Sequence, residues 1–266
     1  MGADIKSLRT RIKSVTSTLQ LTRAMGLVAS SKIRKATQRM LEGRDYDAAM
    51  GQLLSLLTVS PECARSPYMQ PREGKTLLVV IAGDRGLAGG YNANVFRTAR
   101  EYPDAEILPI GKRSCERFGG ELRLCEKMDS AAAYSLAVEL CRRYTAGEFT
   151  RLGILYTRYV SMMSQQPEVR WVLPLTKPTE ATASAVLFEP DEATILETAV
   201  PEYVTGALMA AVRESYACEV VARRMAMDSA GKNASEMIAQ LQLEYNRARQ
   251  GSITQEITEI VAGANA

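Results

Sequence analysis

Histidine is absent from this 266-residue chain. With it go the Ser-His-Asp triad, His-ligated zinc and the imidazole general base. Acid–base chemistry near neutral pH would fall to a strongly shifted carboxylate, lysine or cysteine. No uninterrupted run of about 18 apolar residues occurs, so by that measure no segment spans a bilayer. The opening Met-Gly-Ala-Asp-Ile-Lys lacks the apolar stretch of a signal peptide. The five cysteines (Cys63, Cys115, Cys125, Cys141 and Cys218) are odd in number and widely spaced. They match neither a disulfide framework nor a CxxC metal pair, and read as free thiols of a reducing compartment. The 46% hydrophobic and 24% charged content is that of a folded chain, and the length allows one or two domains.

Charge is unevenly placed. Residues 1–57 hold ten basic and four acidic side chains, whereas residues 202–266 hold six and eight. A basic first segment suits an acidic partner surface; charge alone favours the simpler reading, a solvated helix face.

Proline is missing from residues 3–57, and the apolar residues there follow a sevenfold rule. One series runs Ile5, Ile12, Leu19, Gly26, Ile33, Met40, Asp47, Leu54. The other runs Leu8, Val15, Thr22, Ala29, Ala36, Gly43, Met50, Leu57. Their alternation by three and four is the a/d seam of a left-handed coiled coil. The small residues at its centre allow close backbone approach. One helix of this length would run roughly 80 Å at 1.5 Å per residue.

A second helical segment is predicted from about Glu202 to Ala262. Pro201 suits its start, and Leu208, Val212, Tyr216, Ala234, Met237, Leu241, Tyr245 and Ala248 recur at helical spacing. Ile253, Ile257 and Ile260 extend that series. Pro201 also predicts a separate short helix at Asp191–Ala199. The two terminal helices can bury their seams against each other as an antiparallel pair. Between them, Leu77–Ile81, Ile107–Ile110, Leu122–Cys125, Arg151–Val160 and Val169–Leu173 read as strands. Helices are expected from Asn92 as cap to Arg100, at Lys112–Phe118 and at Ser130–Thr145. Residues 176–186 read as a loop. Strands alternating with helices imply a small α/β sheet with crossover connections.

The run Gly83-Asp84-Arg85-Gly86-Leu87-Ala88-Gly89-Gly90 lies where an α/β protein binds phosphate. Its spacing fits neither a P-loop nor a Rossmann fingerprint, and a tight turn explains the glycines as well. Glu256 and Glu259 share a helix face without a nucleophile or metal ligand beside them. Arg23, Lys32, Arg34, Lys35 and Arg39 lack the aromatic interleaving that reads bases, so no nucleic acid is expected.

Three stretches carry a family resemblance. Thr22-Arg23-Ala24-Met25-Gly26-Leu27-Val28-Ala29-Ser30-Ser31-Lys32-Ile33-Arg34-Lys35-Ala36 resembles the N-terminal helix of the gamma subunit of F-type ATP synthases. Asp84-Arg85-Gly86-Leu87-Ala88-Gly89-Gly90-Tyr91-Asn92 is similar to that family's glycine-rich loop. Ala248-Arg249-Gln250, with Ile253-Thr254-Gln255-Glu256-Ile257-Thr258-Glu259-Ile260-Val261-Ala262-Gly263-Ala264, looks like its C-terminal signature. Ala88 stands where many relatives carry cysteine, and Gly26 where a long side chain is frequent. A regulatory dithiol segment is not visible.

The resemblance implies an α/β fold with a long α-helical antiparallel coiled coil, in which the N- and C-terminal helices flank an inserted Rossmann-like α/β domain. The corresponding divisions are 1–60 for the N-terminal coiled-coil helix, 61–190 for the α/β domain and 191–266 for the C-terminal region. It implies a non-catalytic rotor shaft without cofactor or metal, coupling ion (proton) flow through a c-ring to ATP synthesis or hydrolysis and helping to regulate ATPase activity. The implied partners are a ring of alpha and beta subunits, the epsilon subunit and the c-ring. Arg23, Met25, Arg249, Gln250, Thr254 and Glu256 match positions that contact a beta subunit, and Tyr203 would face the c-ring. A peripheral place on the cytoplasmic side of a bacterial inner membrane follows. The alternatives are a nucleotide-binding α/β module and an unrelated coiled-coil scaffold.

Overall fold

The computed structural model describes residues 2–177, 186 and 188–264. Five helices and four strands follow one another: α1 (Gly2–Leu57), β1 (Thr76–Ile81), α2 (Tyr91–Ala99), β2 (Glu106–Ile110), α3 (Lys112–Phe118), α4 (Ser130–Thr145), β3 (Arg151–Tyr159), β4 (Gln165–Leu173) and α5 (Glu192–Ala264). Short 3-10 turns lie at Cys63–Arg65 and Cys125–Lys127. The expected α/β sheet with long terminal helices is what the chain forms. Of the loop expected at 176–186, residues 178–185 lie outside the described residues. The chain divides into two compact units: residues up to Ser30 with those from Arg223 on, and Ser31–Ala222.

The first unit is a pair of helical segments, one each from α1 and α5. A methyl group built on Gly26 would lie 3.6 Å from Met227 Cβ, and one on Gly231 would lie 3.7 Å from Thr22 Oγ1 and 3.8 Å from Leu19 Cδ1. One number rises as the other falls, so the segments are antiparallel. Every position of the two sevenfold series in α1, along its whole length, is buried or half-buried. On α5 the seam runs through Met227, Gly231, Ala234, Ile238, Leu241, Tyr245, Ala248 and Ser252, again none of them exposed. Ile238 takes the place expected for Met237, which is 42% exposed. Alternating steps of three and four permit only the former.

Ile253, Ile257, Ile260 and Val261 are exposed, contrary to their expected place in the seam. Counting down α1 from Gly26 while counting up α5 from Met227 sets Gly2 opposite Gly251. Among the described residues α1 therefore has nothing to cover the last turns of α5.

The second unit is built on a sheet of order β2-β1-β3-β4. β1 pairs in parallel with both β2 and β3, and β4 runs antiparallel to β3. The run Leu77-Leu78-Val79-Val80-Ile81 is fully buried, as a strand covered on both faces must be. Its alternate side chains enter two cores. Leu77, Val79 and Ile81 join Leu140 and Tyr144 of α4 and Val200, Val204 and Leu208 of α5. Leu78 and Val80 join Val95 and Ala99 of α2. β4 begins earlier than expected and includes Pro167, which an edge strand tolerates.

Two expectations are overturned here. Asp191–Ala199 is not a separate helix, because α5 continues through Pro201. An interior proline costs about 3 kcal/mol. Leu196, Val200, Val204 and Leu208 are fully buried around it, at about 1.5–3 kcal/mol each, which outweighs the break. Leu122–Cys125 is not a strand. Gly111 N–H donates to Arg123 O, but the N–H groups of Cys125 and Glu126 donate to the Asp84 carboxylate instead of to a neighbouring strand. An 18-residue window of α5 is apolar enough to cross a membrane by length and composition, and 67% of it is buried inside the protein. It interrupts its apolar residues with charges, which a search for unbroken runs passes over.

The register predicts a contrast. Ile12 is a half-buried seam residue, whereas Ile257 is 56% exposed. Ile12→Asp should lower stability by about 2–4 kcal/mol, and Ile257→Asp by less than about 0.5 kcal/mol. Thermal unfolding followed by circular dichroism reads both; equal shifts would refute the register.

Candidate functional site

The glycine-rich loop leaves the carboxyl end of β1, the crevice where open α/β sheets hold ligands. Here α5 fills it. The Glu219 carboxylate, on a residue only 1% exposed, accepts from Asp84 N–H at 3.2 Å and Arg85 N–H at 3.1 Å. Gly83 N–H donates to Asn92 Oδ1 at 2.8 Å, so Asn92 serves the loop and not the helix start, where Gly90 is the cap. A methyl group on Gly83 would lie 2.9 Å from Glu219 Cδ. An internal carboxylate thus engages the amides of Asp84 and Arg85 at the start of the loop, and Asn92 engages that of Gly83.

Asp84 carries the arrangement sideways. Its Oδ1 accepts from Lys112 N–H at 3.2 Å and Cys125 N–H at 3.0 Å, and its Oδ2 accepts from Glu126 N–H at 2.9 Å. Close by, Gly111 has φ +89°, and a Cβ there would stand 1.9 Å from Ala82 O. Only glycine can adopt this backbone in this space.

Three further contacts hold α5 to the loop and sheet. Tyr91 OH donates to Ser215 O at 2.9 Å, Thr157 N–H donates to Ser215 Oγ at 3.1 Å, and Tyr159 N–H donates to Glu214 Oε1 at 2.8 Å. Glu214 also pairs with Arg44 of α1, which donates to Tyr159 O at 3.2 Å. Nearby, Arg170 of β4 pairs with Asp47 of α1 and donates to Tyr203 OH at 3.3 Å. Glu126 gathers Lys32 of α1 at 2.9 Å, Arg85 at 3.4 Å and Tyr216 OH at 3.3 Å. Both long helices are therefore held to the sheet and its loops by charged hydrogen bonds, each worth roughly 1.5–3 kcal/mol where buried.

The electrostatics follow. The hydrogen bond from Lys32 holds the Glu126 carboxyl below its ordinary value, against the opposing effect of burial. Burial, reinforced by Glu219, raises the Tyr91 hydroxyl well above its usual range. Burial likewise pushes the Cys141 and Cys218 thiols up to about 12 and raises Cys63 and Cys125. These four are packing thiols and not nucleophiles. Among the described residues no group of three His, Cys, Asp or Glu side chains could hold a metal.

The residues singled out in the sequence lie elsewhere. Arg249, Gln250, Thr254 and Glu256 are exposed on the last turns of α5, beside the exposed Ile253 and Ile257. Thr254 Oγ1 donates to Gln250 O at 2.9 Å. Arg23 is exposed and Met25 half-buried on α1. By the pairing register Arg23 stands beside Ala230, about 28 Å along the helix from Arg249 at 1.5 Å per residue. Tyr203 is half-buried, packs against the main core and lies beneath the Arg170 guanidinium, 5.7 Å from its ring centroid. Glu214, Ser215 and Glu219 went unremarked in the sequence. Their one signal is a polar interruption, at i, i+1 and i+5, in the most apolar stretch of α5.

Two outcomes test this clasp. Glu219→Gln replaces one acceptor with a donor aimed at a loop amide. It should cost about 1–3 kcal/mol and speed hydrogen exchange at the Asp84 and Arg85 amides; unchanged protection would overturn it. Glu126 has its folded value below the unfolded 4.5, so its contribution is complete above pH 4.5 and lost as pH falls through the folded value. Glu126→Gln should flatten the acid limb of the stability curve, and an unaltered limb would count against the pairing with Lys32.

Comparison with known proteins fits this architecture. The ATP synthase family model matches residues 4–266. The chain is 38% identical to the ATP synthase gamma chain of Ruminococcus albus, over 97% of this chain and 96% of that one. It is 37% identical to the gamma chain of Desulforamulus reducens, over 99% of each. It is 35% identical to the sodium-ion-specific gamma chain of Acetobacterium woodii, over 100% and 99%. In fold it resembles a chain of the Euglena gracilis mitochondrial ATP synthase OSCP/F1/c-ring assembly, with TM-score 0.69 and 20% identity, over 100% of this chain and 95% of that one. With matches of this extent, the chain belongs to the ATP synthase gamma-chain family.

Proposed function

We propose that this chain is the rotating central stalk of an ATP synthase and carries no catalytic site of its own. It couples ion (proton) flow through a c-ring to ATP synthesis or hydrolysis on the alpha and beta subunits, and takes part in regulating ATPase activity. The observation that carries this reading is the capture of the glycine-rich loop by Glu219. A loop placed for phosphate has become an anchor for a long helix. Such a part transmits force and does not bind nucleotide.

The division of labour follows from the surfaces. The last turns of α5 present Arg249, Gln250, Thr254 and Glu256 with bare Ile253, Ile257 and Ile260. That mixed surface suits the inside of an alpha/beta ring, where the apolar residues can turn against an apolar collar and the polar ones meet a beta-subunit loop. Arg23 and Met25 belong to a second beta contact further along α1. The epsilon subunit and the c-ring meet the α/β part, with the accessible edge of Tyr203 directed to the c-ring. The domain division 1–60, 61–190 and 191–266 is part of this proposal, as is a peripheral place on the cytoplasmic side of a bacterial inner membrane.

Reconstitution with alpha and beta subunits from the same source, with and without this chain, is the direct test. ATP hydrolysis and an assembled ring should depend on its presence. Indifference of alpha and beta to the chain would overturn the assignment. Within the complex, Met25→Lys adds a cation at a beta contact. It should leave assembly intact while lowering ions pumped per ATP hydrolysed, and an equal loss of both activities would refute that placement.

A further inference from the structure

The turn that joins β3 to β4 is folded by its serines. Val160 N–H and Ser161 N–H donate to Ser164 O at 3.2 and 2.9 Å, and Ser164 N–H donates back to Ser161 O at 3.2 Å. Ser161 Oγ accepts from Met163 N–H at 3.2 Å and from Ser164 N–H at 3.0 Å, the local bonding by which serine sets a turn. Met162 and Met163 enter this network through their backbones alone. Met163 is 81% exposed and Met162 49%, and neither side chain joins a core of the second unit.

Two adjacent methionines thus neither shape the turn nor bury apolar surface. What distinguishes them from any other apolar pair is a solvent-facing thioether on each. A thioether needs no deprotonation to react with a peroxide, whereas a thiol must first become thiolate. Cys63, Cys125, Cys141 and Cys218 are buried, and burial holds them protonated, so these four thiols do not compete. Among the described methionines only Met237 is also exposed, and less so; Met40, Met209 and Met227 are buried.

We propose that the tip of the β3–β4 hairpin is a reversible oxidation site, where hydrogen peroxide converts first Met163 and then Met162 to the sulfoxide. The sulfur lone pair attacks a peroxide oxygen, and the O–O bond breaks as the S–O bond forms. The departing hydroxide takes up the proton of the transferred oxygen and leaves as water. Sulfur loses two electrons and the peroxide gains them. Because the turn is held by Ser161 and Ser164, the tip takes up oxidant without loss of fold. The proposal stands on the hairpin alone and is separate from the rotor reading.

The test exposes the full chain to dilute hydrogen peroxide, with samples taken over time, cleaved by trypsin and read by mass spectrometry. Cleavage after Arg158 and Arg170 isolates Met162 and Met163 on one peptide, and cleavage after Arg39 and Arg44 isolates Met40. Met163 should gain oxygen first and Met162 next, both roughly tenfold or more ahead of Met40, with Met237 trailing Met163. In concentrated urea that order should vanish, since the fold sets it. Oxidation confined to the tip should leave the unfolding temperature unchanged. The two methionine sulfoxide reductases, one for each epimer, should restore both thioethers with dithiothreitol as reductant. Combining Met162→Leu with Met163→Leu should abolish the first phase of oxygen uptake. Another described methionine reacting first, Met40 keeping pace, the same order in urea, a lower unfolding temperature after tip oxidation, or sulfoxides that the reductases leave in place would each overturn the proposal.

Discussion

Backbone amides at the end of β1 find their acceptor on a side chain more than a hundred residues away. Glu219 accepts from Asp84 and Arg85, and much of the second unit is arranged around that bond. A buried amide without a partner costs about as much as a lost hydrogen bond, and a buried carboxylate without one costs more. Each therefore compels the other. Asp84, held by the loop, accepts three more amides from α3 and the Cys125–Lys127 turn. The loop, two short elements and a long helix thereby become one hydrogen-bonded group.

The same geometry accounts for the change of use of the phosphate crevice. In a nucleotide-binding sheet the loop amides and a helix start await an anion. Here the anion is part of the chain. Because α5 supplies it, any force tending to rotate or shift α5 at this point works against charged hydrogen bonds as well as packing. Arg44–Glu214 and Lys32–Glu126 extend that resistance to α1. Torque on a helix held only by apolar contacts could be dissipated by sliding, since the hydrophobic effect is non-directional. Directional bonds oppose sliding.

The first unit depends on a different constraint, the size of residues at a seam. Gly26, Ala29 and Ala234 are small and buried, so the two backbones approach closely. Among the described residues α1 offers no partner to the last turns of α5, and there isoleucines that continue the helical spacing are surface. Their exposure is a consequence of register and not of composition.

Much of this was legible in the residues. The sevenfold series in α1, the unbroken apolar run of β1 and the bounds of α3 and α4 are local patterns, and local periodicity determines which face is buried. The ends of the chain and its glycine loop also identified the family. What the sequence could not disclose depended on partners distant in the chain. The chemistry of Glu219 is set by amides that only the fold brings to it. Pro201 is tolerated because the core around it outweighs the lost hydrogen bond. Leu122–Cys125 has strand composition, but Asp84 claims its donors. Ile238 displaces Met237 because the opposing helix sets the step. A sequence determines periodicity, since that is a property of neighbours. Only the tertiary structure decides which buried donor meets which acceptor, since that pairing belongs to residues the chain holds far apart.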